Sequence, residues 1–491
     1  MAESVAKEAG LVARHAGIYG LANVMERAVG FIMIPVYTRF LTPSDYGILE
    51  LIYLTTAVIS LVVGMGIESA VSRFYFDYKD ERSRGLVMST ATIGYGGATL
   101  LITLLLLPLS QFLAARVLDS PDNAQWFQIA LITLCFNFIQ PISMAFLRVR
   151  QQSTLVMVTQ VLKTFLTLGL NIYFVVVLEM GVTGILLASL ITAAAFTILL
   201  TAYTLSKTGL GVDYKLLAQM VKFGLPLIPS NIAAFIVQAS DRYFIKEYAS
   251  LSLTGIYSLG YKFGTLAHQF VTAPFIQIWM PRRFEFFGKE DSERIYARIF
   301  TYFCAVSVMG GLMISLLSRE VIMIMADQAY WDAYKVVPIV VLAYIAFSFH
   351  YHFNIGILMK KATKYIAYIN IANGILNLAL NFILISRYDV WGAAIATLIC
   401  FIFKAYMTYY ISNRLHKIQI EWRRVTTLFA AGFALFFIGS IVATGSIWTD
   451  IAIKIVIGLS YPVVLYLTRM FDESEISKFK QIIRARRLSV E

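Results

Sequence analysis

Fourteen apolar blocks follow one another along the 491 residues, at about 15–38, 47–72, 86–113, 125–147, 155–178, 182–205, 223–245, 253–279, 299–318, 336–358, 365–386, 390–412, 425–445 and 451–468. Polar positions gather in the short stretches between them. Each block has roughly the 20 residues needed to cross ~30 Å of hydrocarbon. A backbone in lipid must satisfy its own hydrogen bonds, so the blocks are expected to be helices. The pattern predicts an all-α polytopic membrane protein of about 14 transmembrane helices.

The pattern also repeats with an offset of 208 residues. VTGILLASLI (182–191) returns as VWGAAIATLI (390–399), with Val182, Gly184, Ala188, Leu190 and Ile191 recurring as Val390, Gly392, Ala396, Leu398 and Ile399. LTLGLN (166–171) returns as LNLALN (376–381), two residues out of step, and Asn23 and Gly47 map onto Asn231 and Gly255. Two homologous six-helix repeats, 1–205 and 206–412, are therefore expected. Two additional C-terminal helices (413–468) and a basic tail (469–491) follow. Duplicated helical bundles are a common plan for transporters, whose substrate sites lie near mid-depth.

Composition agrees with the membrane assignment. Apolar residues make up 59% and charged residues 14% of the chain, where soluble domains carry about 25% charged. Placing the N-terminus inside puts 29 of the 41 Lys and Arg residues in inner segments, about 6 in outer loops and 6 within spans. This positive-inside bias predicts an N-in/C-in topology. The net charge of +12 then reflects topology and contact with anionic lipids, not nucleic acid. The first block is full length and is expected to stay as a span, not to act as a cleaved signal. In the tail, Ile476, Phe479, Ile482 and Ile483 share one helical face, which suits a helix lying on the inner leaflet or a frayed basic end.

Catalytic and metal chemistry find little support. There is no G-x-x-x-x-G-K-[ST] loop in the sequence for ATP hydrolysis. Cys135, Cys304 and Cys400 are far apart within spans and read as packing residues. His350 and His352 fall on different helix faces, so no shared metal is expected there. No catalytic set and no cofactor is expected.

Ionisable groups inside spans are costly and so mark candidate function. The basic ones are Arg27, Lys163, Arg242, Lys262, Lys404 and Lys454, and the acidic ones Glu26, Glu68 and Asp241. Lys404 and Lys454 read as snorkelling or structurally paired. Arg27 lies about 13 residues into span 1, roughly 20 Å from its start at 1.5 Å per residue. It shares a face with Asn23 and Gly30, as Arg242 does with Asn231 and Gln238 on span 7. Span 8 adds Lys262 and Gln269 on one face. These residues are expected to line a cationic cavity suited to a phosphate ligand, which arginine can hold through two parallel hydrogen bonds. Glu26, Asp241, Glu68 and Lys163 are possible charge partners. Pro35, Pro226, Pro229 and Pro274 can bend spans 1, 7 and 8 during alternating access.

The stretch IPVYTRFLTPSDYGILEL (34–51) carries Arg39, Leu41, Pro43, Tyr46 and Gly47 in an Arg-x-Leu-x-Pro-x-x-Tyr-Gly pattern. It resembles the first outer loop of polysaccharide flippases. SDRYFIKEYASLSLTGIYSLGYKF (240–263), with its Asp-Arg pair and Gly-x-Tyr, is similar to their span 7–8 hairpin. The resemblance covers nearly the whole chain. It implies the polysaccharide-transporter branch of the multidrug/oligosaccharidyl-lipid/polysaccharide exporter superfamily. The implied activity is flipping a polyprenyl-pyrophosphate-linked oligosaccharide across a prokaryotic inner membrane for O-antigen, capsule or exopolysaccharide assembly. Implied partners are that lipid-linked glycan, membrane lipids and the polysaccharide polymerase and chain-length machinery. The alternative is a cation-coupled multidrug antiporter of the same fold. It would call for acidic cavity residues, yet base outnumbers acid within spans by six to three.

Overall fold

Lipid leaves a backbone no partner but itself, and all regular structure among the described residues is helical. The computed structural model describes residues 30–64, 66–286, 289, 291–470, 472 and 475. The expected tail helix lies outside them. The helices are α1 (30–40), α2 (Pro43–Val63), α3 (Ile67–Asp77), α4 (Glu81–Leu118), α5 (Pro121–Val149), α6 (Ser153–Val177) and α7 (Gly181–Thr208). They continue as α8 (Tyr214–Gly224), α9 (Ile228–Tyr248), α10 (Leu251–Gly264), α11 (Ala273–Glu285), α12 (Ser292–Met325), α13 (Val337–Met359), α14 (Lys364–Leu415), α15 (Trp422–Ser440) and α16 (Ile447–Leu467). Nine of the described helices are long and apolar enough to cross a membrane.

Where the expected spans divide, sequence supplies the cause. Span 7 is interrupted by a tight turn at Leu225–Leu227 that holds Pro226, with Pro229 in the first turn of α9. Span 8 opens into a wide turn at His268–Thr272 just before Pro274. Proline lacks the N–H that would continue the ladder, so each break sits beside one. At α14 the reverse holds. One run of 52 residues, about 78 Å at 1.5 Å each, is too long for a single crossing. Asp389 breaks it, with φ 47° and ψ −127°, at the expected boundary of spans 11 and 12. The start of α2 is set by a capping box. Thr42 accepts from the Asp45 N–H, Asp45 accepts from the Thr42 N–H, and Pro43 opens the helix.

The chain forms two compact units, Met1–Ile256 with Met325–Tyr330, and Tyr257–Ile324 with Trp331–Glu491. In the first, α5 packs on α7 and α2, around Leu51, Ile52, Phe127 and Ile185. Phe146, Ile142 and Met88 centre a second cluster. Here α2 meets the first turns of α10. A Cβ on Gly47 would lie 2.2 Å from the Leu251 carbonyl oxygen, and one on Gly255 2.0 Å from that of Pro43. Both partners of each pair are offset by the repeat interval, so the crossing is locally two-fold. Thr55 and Tyr243 share a 2.9 Å hydroxyl contact nearby.

The second unit is built on α12. Glycines of α15 and α16 bring their backbones against it: Gly432 at Val308, Gly439 at Leu316 and Gly458 at Met313. The Tyr461 hydroxyl donates to the Leu428 carbonyl at 3.2 Å. At one end Asp472 and Glu475 clamp the helix starts, with Arg298–Asp472 at 2.7 Å and Arg424–Glu475 at 2.6 Å. Burial raises the Glu475 pKa, but hydrogen bonds from Arg424, Tyr302 and the Asp472 N–H outweigh it and hold it at about 2. A depressed carboxylate stabilises above its unfolded pKa, and the stability is lost as pH falls through the folded value. Hydrogen-exchange protection at Met470 and Asp472 is expected to hold at pH 5 and to fall between pH 4.5 and about 2.

The glycine crossing makes a sharper prediction. Gly47→Ala and Gly255→Ala should each lower stability in detergent by about 1–3 kcal/mol, the usual range for overpacking. Gly97→Ala and Gly169→Ala, with nothing within 4 Å of a new Cβ, should be silent. Equal melting temperatures for all four would show that the crossing yields freely.

Candidate functional site

The polar strip expected on span 7 forms on α9 of the first unit. Asn231 and Gln238 are exposed, seven residues apart on one helical face. Four residues beyond Gln238, Arg242 turns inward and is 3% exposed. Its Nη1 donates to Asp241 Oδ1 at 2.7 Å and to the Gln238 carbonyl at 2.7 Å. Asp241 is 1% exposed. Neighbours on a helix diverge by about 100°, but the long guanidinium arm curls back across the gap. Arg242 and Asp241 thus form an ion pair within one helix.

The other expected groups lie on other elements. Lys163, on α6, donates to Gln140 Oε1 of α5 at 2.7 Å, a neutral amide partner within the first unit. Lys262 of α10 and Gln269 beyond it lie in the second unit and are part-buried. Thr265 links them, donating to the Lys262 carbonyl at 2.7 Å and receiving the Gln269 amide at 3.4 Å. Glu68 opens α3, after a break at Gly66, whose φ is 61°; its side chain lies outside the described residues. Asn23, Glu26 and Arg27 also lie outside them. Lys404 stands over the Phe347 ring at 4.8 Å.

Lys454 is paired, one of the two readings expected for it, but its partner and two further features escape the sequence reading. Lys454 forms an almost wholly buried pair with Glu320, Nζ to Oε1 at 2.6 Å, with side chains 4% and 1% exposed. The apolar block in the sequence ends at 318, two residues short of that carboxylate. Arg283, which falls between the expected spans 253–279 and 299–318, sits on α11, 1% exposed. It donates to the Tyr351 carbonyl at 3.1 Å and to Asn354 Oδ1 at 2.7 Å. Those acceptors lie where the first segment of α13 ends, at the negative pole of its dipole. The third is a buried carboxamide ladder on α14, Asn373, Asn377 and Asn381 at helical spacing of four. Asn381 donates to Asn377 Oδ1 at 3.2 Å and Asn377 to Cys400 Sγ at 3.7 Å. The i, i+4, i+8 recurrence was a visible signal.

The histidines serve aromatic packing. The His352 ring stacks on Trp279 at 5.3 Å, and His350 lies 3.9 Å from the Tyr351 ring centroid. Among the described residues no group of three or more His, Cys, Asp or Glu could hold a metal.

Residues 12–287 match the model of a family described as polysaccharide biosynthesis protein. No curated protein sequence matches. Among solved structures, the chain is similar to a lipid II flippase, MurJ, in an inward closed conformation. That match has a TM-score of 0.74 and 13% identity, over 92% of this chain and 99% of the other. It is also similar to an inward-facing multidrug resistance MATE family transporter (TM-score 0.60, 15% identity, 81% and 94% covered). An outward-facing MATE transporter matches at 0.51 and 14% identity, with 84% and 93% covered. At these identities the likeness concerns the fold, that of polytopic membrane transporters.

The buried pair on α12 and α16 can be tested without any substrate. Lys454→Met alone should destabilise by about 3 kcal/mol, because the buried Glu320 loses its 2.6 Å partner and keeps only Arg319 at 3.8 Å. Adding Glu320→Leu should recover most of the loss in a detergent melt. A double variant as unstable as the single would mean that the pair is favourable in itself.

Proposed function

The chain belongs to the polysaccharide biosynthesis protein family, and on that premise we propose that it is a flippase for a polyprenyl-pyrophosphate-linked oligosaccharide. It carries this lipid from the cytoplasmic to the outer leaflet of a prokaryotic inner membrane. The glycan then feeds surface polysaccharide assembly, in reach of polymerase and chain-length machinery. Transport proceeds by alternating access, without ATP hydrolysis and without catalysis. Family membership is the observation that carries this reading. The lipid II flippase likeness supports it, because that neighbour also takes a lipid-linked substrate by title.

Arg27, Arg242 and Lys262 are the proposed phosphate-binding residues. Asn23, Asn231, Gln238 and Gln269 are the proposed donors and acceptors for sugar hydroxyls. Asn231 and Gln238 are exposed on α9, where a ligand can reach them. Arg242 is held on the same helix by its pair with Asp241 at 2.7 Å. Glu26, Glu68 and Lys163 are proposed to adjust the local charge balance. The MATE likeness favours one second reading, a cation-coupled drug antiporter.

In cells depleted of the protein, full-length polyprenyl-pyrophosphate repeat units should accumulate in lipid extracts read by mass spectrometry, and the surface polymer should disappear. Normal surface glycan with new sensitivity to cationic drugs would select the antiporter. Arg27→Ala and Arg242→Ala should each slow flipping by about 10–100-fold with insertion intact, on the scale of a hydrogen bond to a charged group. Arg242→Lys should restore only part of the rate, because an ammonium does not present the guanidinium's paired fork.

A further inference from the structure

The second unit holds a two-part groove that the proposed transport path does not use. Its part toward mid-membrane is an open apolar chamber of about 90 Å³, lined by α12, α13 and α15 at residues that include Gly311, Val341 and Phe429. Its mouth is a larger space of about 210 Å³. Ser315, Pro338 and Phe436 line both, so the two are continuous. From Val308 to Arg319 along α12 the groove extends about 16 Å at 1.5 Å per residue, the depth of one leaflet.

The mouth has a single sign. Arg319, Lys335 and Lys454 line it, and no carboxylate does. Their acidic partners stand outside the lining: Glu320 for Lys454 at 2.6 Å and Arg319 at 3.8 Å, Asp332 for Lys335 at 2.9 Å. A lysine has three donors and an arginine five, so each can also serve an anion in the mouth. Trp391, 44% exposed, lies at the rim, as tryptophan does at membrane interfaces. Phe433 and Phe437 leave the adjoining face of α15 apolar and exposed. This end of the unit is opposite to the Arg298–Arg424 clamp, and the positive-inside rule assigns it to the outer leaflet.

We propose that the groove binds one anionic glycerophospholipid of the outer leaflet, a few methylenes of one acyl chain in the open chamber and its phosphate against Arg319, Lys335 and Lys454. The apolar depth and the cationic mouth match the two parts of that molecule. A neutral or zwitterionic lipid would satisfy only the first. Bound this way, the lipid ties α12, α13 and α16 together at the buried Lys454–Glu320 pair. A ligand held by the folded state alone raises its stability.

Native mass spectrometry of the full chain in detergent, with phosphatidylglycerol and phosphatidylcholine of equal chain length, tests this. The expected result is one retained phosphatidylglycerol per protein and a higher melting temperature with that lipid only. Arg319→Gln with Lys335→Gln should weaken phosphatidylglycerol retention about tenfold and leave phosphatidylcholine unchanged. Both side chains are more than a third exposed, so the lipid-free melting temperature should hold. Leu342→Trp, which fills the chamber, should remove the adduct while the mouth stays intact. Arg414→Gln, on α14 away from the groove, should have no effect. Equal retention of the two lipids by the natural sequence, or phosphatidylglycerol retention untouched by the double variant, would overturn the proposal. So would preferential retention of a polyprenyl phosphate, which would assign the groove to the carrier.

Discussion

A polar group in hydrocarbon has no water to fall back on, and the interior of both units follows from that constraint. Hydroxyls return to their own helix: Thr38, Thr55, Thr133, Thr301 and Thr408 each donate to the carbonyl four residues back. Charges take the nearest compensation. For Arg242 it is the adjacent Asp241, for Lys163 an amide, for Lys454 the carboxylate of Glu320, and for Arg283 the carbonyl end of a helix. Backbones approach closely where glycine permits, at Gly47 and Gly255 in the first unit and at Gly432, Gly439 and Gly458 in the second. Lipid tails are as apolar as leucine, so such fits, more than a hydrophobic drive, hold membrane helices together.

The 208-residue offset shows how far a weak sequence signal reaches. Gly181 and Asp389 are one interval apart, and both take a positive φ, 55° and 47°, at the start of the returning helix. Gly184 and Gly392 follow one turn later. A Cβ there would meet Phe174 at 2.9 Å in one case and the Leu384 carbonyl at 2.2 Å in the other. The same geometry is met with different residues, since Asp389 replaces a glycine. Backbone demands recur at these two positions although the residues differ.

Legibility stopped at side-chain pairing. The existence and type of the helices followed from block length, and the prolines at 226, 229 and 274 marked where the blocks divide. The Asp-Arg adjacency on α9 was visible, but the direction in which the guanidinium bends depends on packing around it. Glu320 was missed because hydropathy ends a block at the first charges, while a partner 134 residues later carries the helix on inside the protein. The asparagine ladder on α14 was readable by spacing, yet asparagine is mild on hydropathy and leaves the block apolar in appearance. Arg283 illustrates the converse: a run of charged residues resembled a loop, and a helix end absorbed one of them.

Charge compensation also bears on the proposed transport cycle. A flippase must return empty as well as carry its load. A bare guanidinium at mid-depth would make the empty return costly, since an isolated buried charge is penalised by several kcal/mol. Arg242 has a carboxylate at 2.7 Å that belongs to its own helix and moves with it, so the pair stays matched through any motion of α9. In the proposed cycle a pyrophosphate would add its charge to a site already stable without it. On that view the adjacent acid does not cancel the arginine as a binding group. It sets the reference state against which the substrate is bound, and it favours release by keeping the interaction from becoming too strong.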